Sequence, residues 1–341
     1  MSKFLHKIMK QILKGKKILV TGGSGSIGKQ IVKRSLNEGA SFIRVFSNDE
    51  NALYETEIDL SNNKIEYVIG DIRNFETVLS IVNDIDYVFH ASALKHVDRC
   101  ELNPFEALTV NSIGTYNICK ASVRARVSKV INISTDKAVN PVGVLGATKL
   151  LSEKLITAES SHNISKTIFA NVRFGNVLQT RGSIIPRIEN QIKKGGPITI
   201  TDTNMKRFFM TIDDAVNLIF KATQFAKGGE TFVLKMPLVN LNDLFEAMKE
   251  ILAPKFGFNS FEIKTKIIGI RPGEKLTEFL LTDFELEHVL ETNDFFIITS
   301  MFLNHHLRYP GSKKPKNIRN YFGNIKPINK SEIIKMLNTI Y

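Results

Sequence analysis

The chain of 341 residues has little cysteine, no apolar run long enough to span a bilayer, no internal repeat and no low-complexity segment. Its two cysteines, Cys100 and Cys119, are too few for a disulfide framework and lack metal-ligand spacing. They are expected to be reduced and structural, in a cytoplasmic protein without a metal centre. Acidic residues are the scarcer sign, 34 Asp and Glu against 46 Lys and Arg, for a net charge of +12. The excess is dispersed apart from Lys313–Lys316 and the N-terminal segment, and no zinc-finger or RNA-recognition signature accompanies it. Nucleic acid is therefore not an expected partner. Two readings of the charge stay open: lysines spread over solvated faces, or a site for a polyanionic small ligand.

The opening MSKFLHKIMKQILKGKK is basic, with Phe4, Ile8, Ile12 and Leu13 at helical spacing. It lacks the uninterrupted apolar core and cleavage site of a signal peptide. An amphipathic leader over residues 1–14, packed on the body or on a partner, is expected in place of a membrane anchor.

Beyond it, short apolar, β-branched or aromatic runs recur at Lys17–Thr21, FIRVF (42–46), IEYVIG (65–70), DYVFHA (86–91), KVINIS (129–134) and TIFANVRF (167–174). Helical stretches separate most of them. This alternation predicts an α/β fold, a doubly wound parallel Rossmann sheet over 15–175. Later the rhythm loosens, with turn clusters at 179–183 and 194–197. A helix is expected near 212–226, a strand near 230–235 and a helix at 240–252. They predict a smaller C-terminal substrate-binding portion over 176–300, with segments near 210–250 returning to the Rossmann domain. A basic tail over 301–341 closes in a helix at 331–340.

Gly22, Gly25 and Gly28 directly follow the first strand and open a helix. Such glycines permit a tight turn and close approach to a pyrophosphate, which the helix N-terminus attracts. Ser24, Ser26 and Ile27 belong to the same turn and are expected at the cofactor. At the tip of the second strand, Ser47 and Asn48 stand where an acidic residue would select NAD. NADP is therefore favoured, with NAD still admissible because no Arg follows and Asp49 is near. Asp71, after the third strand, is expected at the adenine or as a helix N-cap, with Ile72 beside it. Ala91 and Ala93 follow the fourth strand and complete the expected cofactor set.

HASALKHVDRCELNPFEALTVNSIGT (90–115), STDKAVNP (134–141), GATK (146–149), RFGNVLQTRGS (173–183), GETFVLKMP (229–237) and GIRPGEKL (269–276) occur in order. Together they resemble the UDP-N-acetylglucosamine 4,6-dehydratases, extended short-chain dehydrogenases/reductases, in their short soluble form. The likeness runs from about residue 15 to 300. It implies a lyase reaction on a UDP-sugar: C4 is oxidised, water is lost across C5 and C6, and hydride returns to C6. The nicotinamide cofactor would stay tightly bound and be regenerated each turnover. Relatives usually carry a Tyr four residues before the active-site Lys, here Lys149, but this chain has Leu145. Leu cannot carry a proton, so the resemblance to Tyr-less members shifts the C4 proton to Asp136.

On that reading Lys137 takes the C5 proton, which requires its pKa to be depressed by burial and nearby positive charge. Asp136 or a water assists loss of the 6-hydroxyl, Thr135 bonds the 4-oxygen, and Lys149 binds the nicotinamide ribose. The competing reading makes Asp136 and Lys137 a surface ion pair. Lys95 is placed near the sugar or cofactor, while His96 is as readily structural. Asn176, Arg271 and Glu274 are assigned to the nucleotide half, Arg271 on the diphosphate and Glu274 on ribose. Arg181, toward the cofactor, and Arg207, toward the substrate, rank behind them and could equally be solvated arginines. Leu145 is expected to pack against substrate or nicotinamide. Reprotonation of C5 on the opposite face is favoured over retention. A 4-epimerase and a non-catalytic dinucleotide-binding protein remain alternatives, and a homo-oligomer is expected by analogy.

Overall fold

A computed structural model describes residues 12–162, 166–300 and 309–341. The expected leader lies largely outside them. Of its apolar residues, Leu13 is fully buried and Ile12 packs beside it on the main core.

Six strands, β1 (Lys17–Thr21), β2 (Phe42–Ser47), β3 (Ile65–Ile69), β4 (Tyr87–His90), β5 (Lys129–Thr135) and β6 (Ile168–Phe174), match the six apolar runs to within two residues. They lie parallel in the order β3-β2-β1-β4-β5-β6. Helices cover both faces, and the central strands are sealed from water; β1, for example, buries all but its first residue, whereas the edge strand β3 has no fully buried residue. Each fully buried Val, Ile, Leu or Phe contributes about 1.5–3 kcal/mol, which is why the apolar runs fix the sheet. After β6 come β7 (Asn176–Val177), β8 (Ile198–Ile200), β9 (Lys206–Met210), β10 (Thr231–Leu234), β11 (Leu238–Asn240), β12 (Thr265–Ile267), β13 (Val289–Glu291) and β14 (Phe295–Ile298). β10 adds to β6 in parallel, and β14 and β13 continue that edge antiparallel. This edge is a finding beyond the sequence reading: a parallel core carries an antiparallel margin.

The helices expected near 212–226 and 240–252 are Ile212–Phe225 and Leu241–Leu252. The first returns to the Rossmann core, and the second joins a separate core with Ile184–Lys193 and the closing helix Lys330–Leu337. That last helix is fixed by a reciprocal cap between Asn329 and Glu332. The basic tail is also anchored where it re-enters, since the Tyr309 hydroxyl donates to the buried Glu230 carboxylate at 2.6 Å.

Two features position the site. β1 and β4 are neighbours although β2 and β3 wind the other way, so their carboxyl ends open a crevice at the switch point. On the far side, Arg173 of β6 is fully buried between Glu153 at 2.7 Å and Glu285 at 2.8 Å, and also donates to the Leu280 carbonyl. This triad pins the chain that follows the GIRPGEKL segment against the sheet.

Candidate active site

The glycine turn folds as its spacing demands. Gly22 has φ +64°, and a Cβ there would meet the Ala91 carbonyl carbon at 2.8 Å. A Cβ on Gly28 would lie 2.2 Å from the Gly22 oxygen, so turn and helix can pack this closely only without side chains. The helix Ser26–Asn37 begins at Gly25 with no side-chain cap. Its first N–H groups therefore face the crevice without a side-chain acceptor, an arrangement that suits a pyrophosphate. Beside them the Ser24 hydroxyl donates to Ser47 at 2.7 Å. Asp49 is turned away from the strand tip as the N-cap of the helix Glu50–Asp59, accepting from Ala52 N–H. These observations fit a dinucleotide.

The crevice widens into a cavity of about 670 Å³. Every residue expected at the site lines it except Asp136. Asp71 lines it too, but it is not a helix N-cap. Asn74 caps the helix Phe75–Val82, while the Asp71 carboxylate accepts from the guanidinium and N–H of Arg73. Arg207 is buried, its guanidinium donating to the carbonyls of Lys206 and Leu276, so it is no solvated arginine. Arg181 is exposed yet anchored: its side chain donates to the Ser24 carbonyl at 2.6 Å and its N–H to the Ser26 hydroxyl at 3.0 Å. Lys95 donates to the Arg181 carbonyl. The loop through Arg181 is thus fastened across the glycine turn. The Asn176 amide donates to the Phe208 carbonyl, and Glu274 accepts from Arg271 N–H, closing its own turn.

At the end of β5 the side chains part. Thr135 and Lys137 line the cavity, while Asp136 is fully buried behind them. Its Oδ1 accepts from the Thr135 hydroxyl and the Lys137 ammonium, both at 3.0 Å; its Oδ2 has no hydrogen-bond partner among the described residues. Asp136 does not itself line the cavity, but its carboxylate bonds to Thr135 and Lys137, which do. One correction concerns Lys137. Burial does act to lower its pKa, but Asp136 and Glu278 outweigh it and hold the amine above the usual lysine range. The surface ion-pair reading also fails, since both carboxylates are buried.

Lys149 is buried and donates to the Ile133 carbonyl at 2.6 Å, its pKa brought down to about 8 by burial. Leu145 lines the cavity with one face and packs with Cys100 and Ala107 on the other. Two residues escaped the sequence reading. Glu278 is buried at the cavity wall, 3.7 Å from Lys137 and 2.8 Å from Lys275. Arg187, on the helix Ile184–Lys193, faces the cavity near Arg271, and burial together with that neighbour pushes its pKa down. Two guanidiniums at one end of a cavity invite an anion. Glu278 lies four residues beyond Glu274, two past the end of the GIRPGEKL motif.

Fold and site define an enzyme of the dehydratase and epimerase class built on a Rossmann sheet. The family model described as "Polysaccharide biosynthesis protein" matches residues 18–300, and the chain belongs to that family. A protein of Methanocaldococcus jannaschii, named an uncharacterized membrane protein, is 49% identical over 96% of this chain and 96% of its own. Among the described residues of the present chain, no helix is long and apolar enough to cross a membrane. A protein of Rickettsia canadensis named UDP-glucose 4-epimerase is 36% identical over 95% of this chain and 96% of its own. The X-ray structure of Pen from Bacillus thuringiensis is 42% identical, covers 96% of this chain and 98% of its own, and superposes with a TM-score of 0.89.

Proposed function

We propose that the protein is a UDP-N-acetylglucosamine 4,6-dehydratase that inverts C5, with NADP as its resident cofactor. One observation carries the reading. The Lys137 ammonium stands at the cavity wall between two buried carboxylates, next to the Thr135 hydroxyl, while Leu145 occupies the place of a proton-carrying Tyr. Epimerisation at C4 needs one proton carrier there, whereas dehydration must also move a proton onto the departing 6-hydroxyl.

A bound nicotinamide dinucleotide supplies the acceptor and later the donor of hydride. Helix N–H groups at Ser26–Gly28 hold its diphosphate, Ser24 and Ser47 the adenosine ribose side, Asp71 and Ile72 the adenine, and Lys149 the nicotinamide ribose. The engagement of Asp49 as a helix cap favours NADP over NAD, because no free carboxylate faces the 2′ position. Thr135 accepts the proton of the 4-hydroxyl and passes its own to Asp136. Lys137 gives its proton to the 6-hydroxyl as it leaves as water, and Asp136 then hands its proton on to the neutral amine. The proton lost at C4 thus replaces the one given to the leaving group. Arg187 and Arg271 take the sugar nucleotide diphosphate, and Asn176 and Glu274 its nucleoside side. The expected homo-oligomer would use the face bearing Leu102, Phe105, Tyr116 and Leu151, which stand exposed.

Mass spectrometry of UDP-N-acetylglucosamine incubated with the protein and NADP tests the proposal. Loss of one water supports it, and an isobaric product sinks it. The second reading, a 4-epimerase, draws on the names of the Rickettsia relatives.

A further inference from the structure

Glu101 does not line the cavity, yet its side chain joins two segments that do. Its Oε1 accepts from the Val144 N–H at 2.6 Å. Val144 opens the helix Val144–Ser161, whose N-cap, Gly143, has no side chain to offer. Glu101, on the short helix Val97–Leu102, therefore supplies the missing cap from outside. The first turn of the capped helix brings Leu145 to the cavity. It also rests on Lys137, since a Cβ on Gly146 would lie 2.4 Å from the Lys137 carbonyl oxygen. On its other side the same Glu101 oxygen meets the turn that carries Arg271 and Glu274. A Cβ on Gly273 would lie 2.6 Å from Oε1, and one on Gly143 would lie 2.5 Å from Oε1 and 2.7 Å from the Gly273 Cα. Gly273 also has φ +77°. Helix start and turn thus close on one side-chain oxygen, and only glycine lets them come so near. Lys275 makes a second tie between the same segments, donating to the Val139 carbonyl at 2.7 Å.

We propose that Glu101 is a positioning residue that sets the turn bearing Arg271 and Glu274 against the helix start that bears Leu145 and backs Lys137. The role rests on the reading above, in which the turn holds the nucleotide of a UDP-sugar and the end of β5 acts on its hexose. A nucleotide held by the turn then presents the hexose to Thr135 and Lys137 in one register. Binding energy gained at the nucleotide is in this way used at the reacting carbons. Without the Glu101 oxygen the Val144 N–H loses its acceptor and the two segments lose their common seat. Nucleotide affinity and turnover then fall together.

The test uses the whole protein and compares wild type with Glu101→Met, which offers no oxygen, and Glu101→Gln, which keeps one. UDP affinity is read by calorimetry, and kcat by water loss from UDP-N-acetylglucosamine with NADP. Glu101→Met should weaken UDP by about fivefold, the size of a lost helix cap, and lower kcat by about tenfold or more. Glu101→Gln should restore both to within about threefold of wild type. A residue that served stability alone would lower the melting temperature and leave the UDP affinity of the folded protein as it was. Should Glu101→Met not fold, Glu101→Asp draws the oxygen back by one methylene and should show the same two losses. UDP affinity within about twofold of wild type in a folded Met or Asp variant would overturn the assignment. So would a loss confined to affinity or to kcat, or a Gln variant as impaired as the Met one. If wild type binds no UDP, or binds it without taking water from the sugar, the reading above falls and this role falls with it. If wild type does both and the variants match it, only the role of Glu101 is lost.

Discussion

Replacing Arg173 with Met should show how firmly the site depends on a buried charge. Arg173 is 1% exposed and donates to Glu153, Glu285 and the Leu280 carbonyl. Met restores much of the apolar volume but leaves two carboxylates facing each other in the interior. Breaking a buried pair by removing one partner costs about 3–5 kcal/mol, because the remaining charge is neither hydrated nor paired. For a chain of 341 residues that corresponds to a thermal midpoint lower by roughly 4–7 °C, from an unfolding entropy of about 2 cal/mol/K per residue. The penalty should depend on pH. Burial alone would raise the Glu285 pKa, but Arg173 outweighs it and holds the carboxyl below the ordinary glutamate range. In wild type this contribution is fully present above the unfolded pKa and is lost as pH falls through the lower, folded one. In the variant, burial without the arginine raises that pKa, so the protein regains stability by protonating Glu285 as pH drops. The gap between the two proteins should therefore narrow between about pH 7 and pH 5. Differential scanning fluorimetry across that range reads it directly. A midpoint unchanged at pH 7, or a gap that widens on acidification, would refute the reasoning. Replacing Arg173, Glu153 and Glu285 together with Met, Gln and Gln should recover most of the loss.

Other predictions concern the two halves of the cavity. Gly28→Ala sets a methyl against the Gly22 oxygen, and NADP affinity measured by fluorescence titration should fall by about tenfold or more, from roughly 1–3 kcal/mol of overpacking. Ser47→Asp puts a carboxylate at the tip of β2; the same titration should then show NADP weakened by roughly tenfold while NAD binding is kept. Thr135→Val keeps the shape and cuts the link between the cavity and Asp136, so kcat should fall about 10²-fold with an unchanged melting temperature. An equal kcat would remove Thr135 from the proton route.

Much of this was legible in the sequence because it is local. An apolar run between turn signals buries itself wherever it sits in a parallel sheet, and β1 to β6 follow from that alone. The glycine turn reads directly, since no residue with a Cβ fits at Gly28. What sequence reasoning missed depends on contacts between distant segments. Lys137 was expected to lose its proton through burial, and two carboxylates reverse that outcome. One of them, Glu278, arrives from a segment far along the chain. Asp136 had no local signal: β5 ends at Thr135 and Asp136 opens a single 3-10 turn, Asp136–Ala138, where strand alternation no longer says which side chain faces the cavity. The antiparallel β13–β14 margin had no such signal, because a short apolar strand does not reveal its direction until its partner is known.

The most direct test of the account is an NMR time course of the purified protein with UDP-N-acetylglucosamine and catalytic NADP in D2O. The account predicts a 4-keto-6-deoxy sugar nucleotide with deuterium at C5 and ring couplings of the inverted centre. A product changed only in configuration at C4, with its C6 hydroxyl intact and no deuterium at C5, would contradict it.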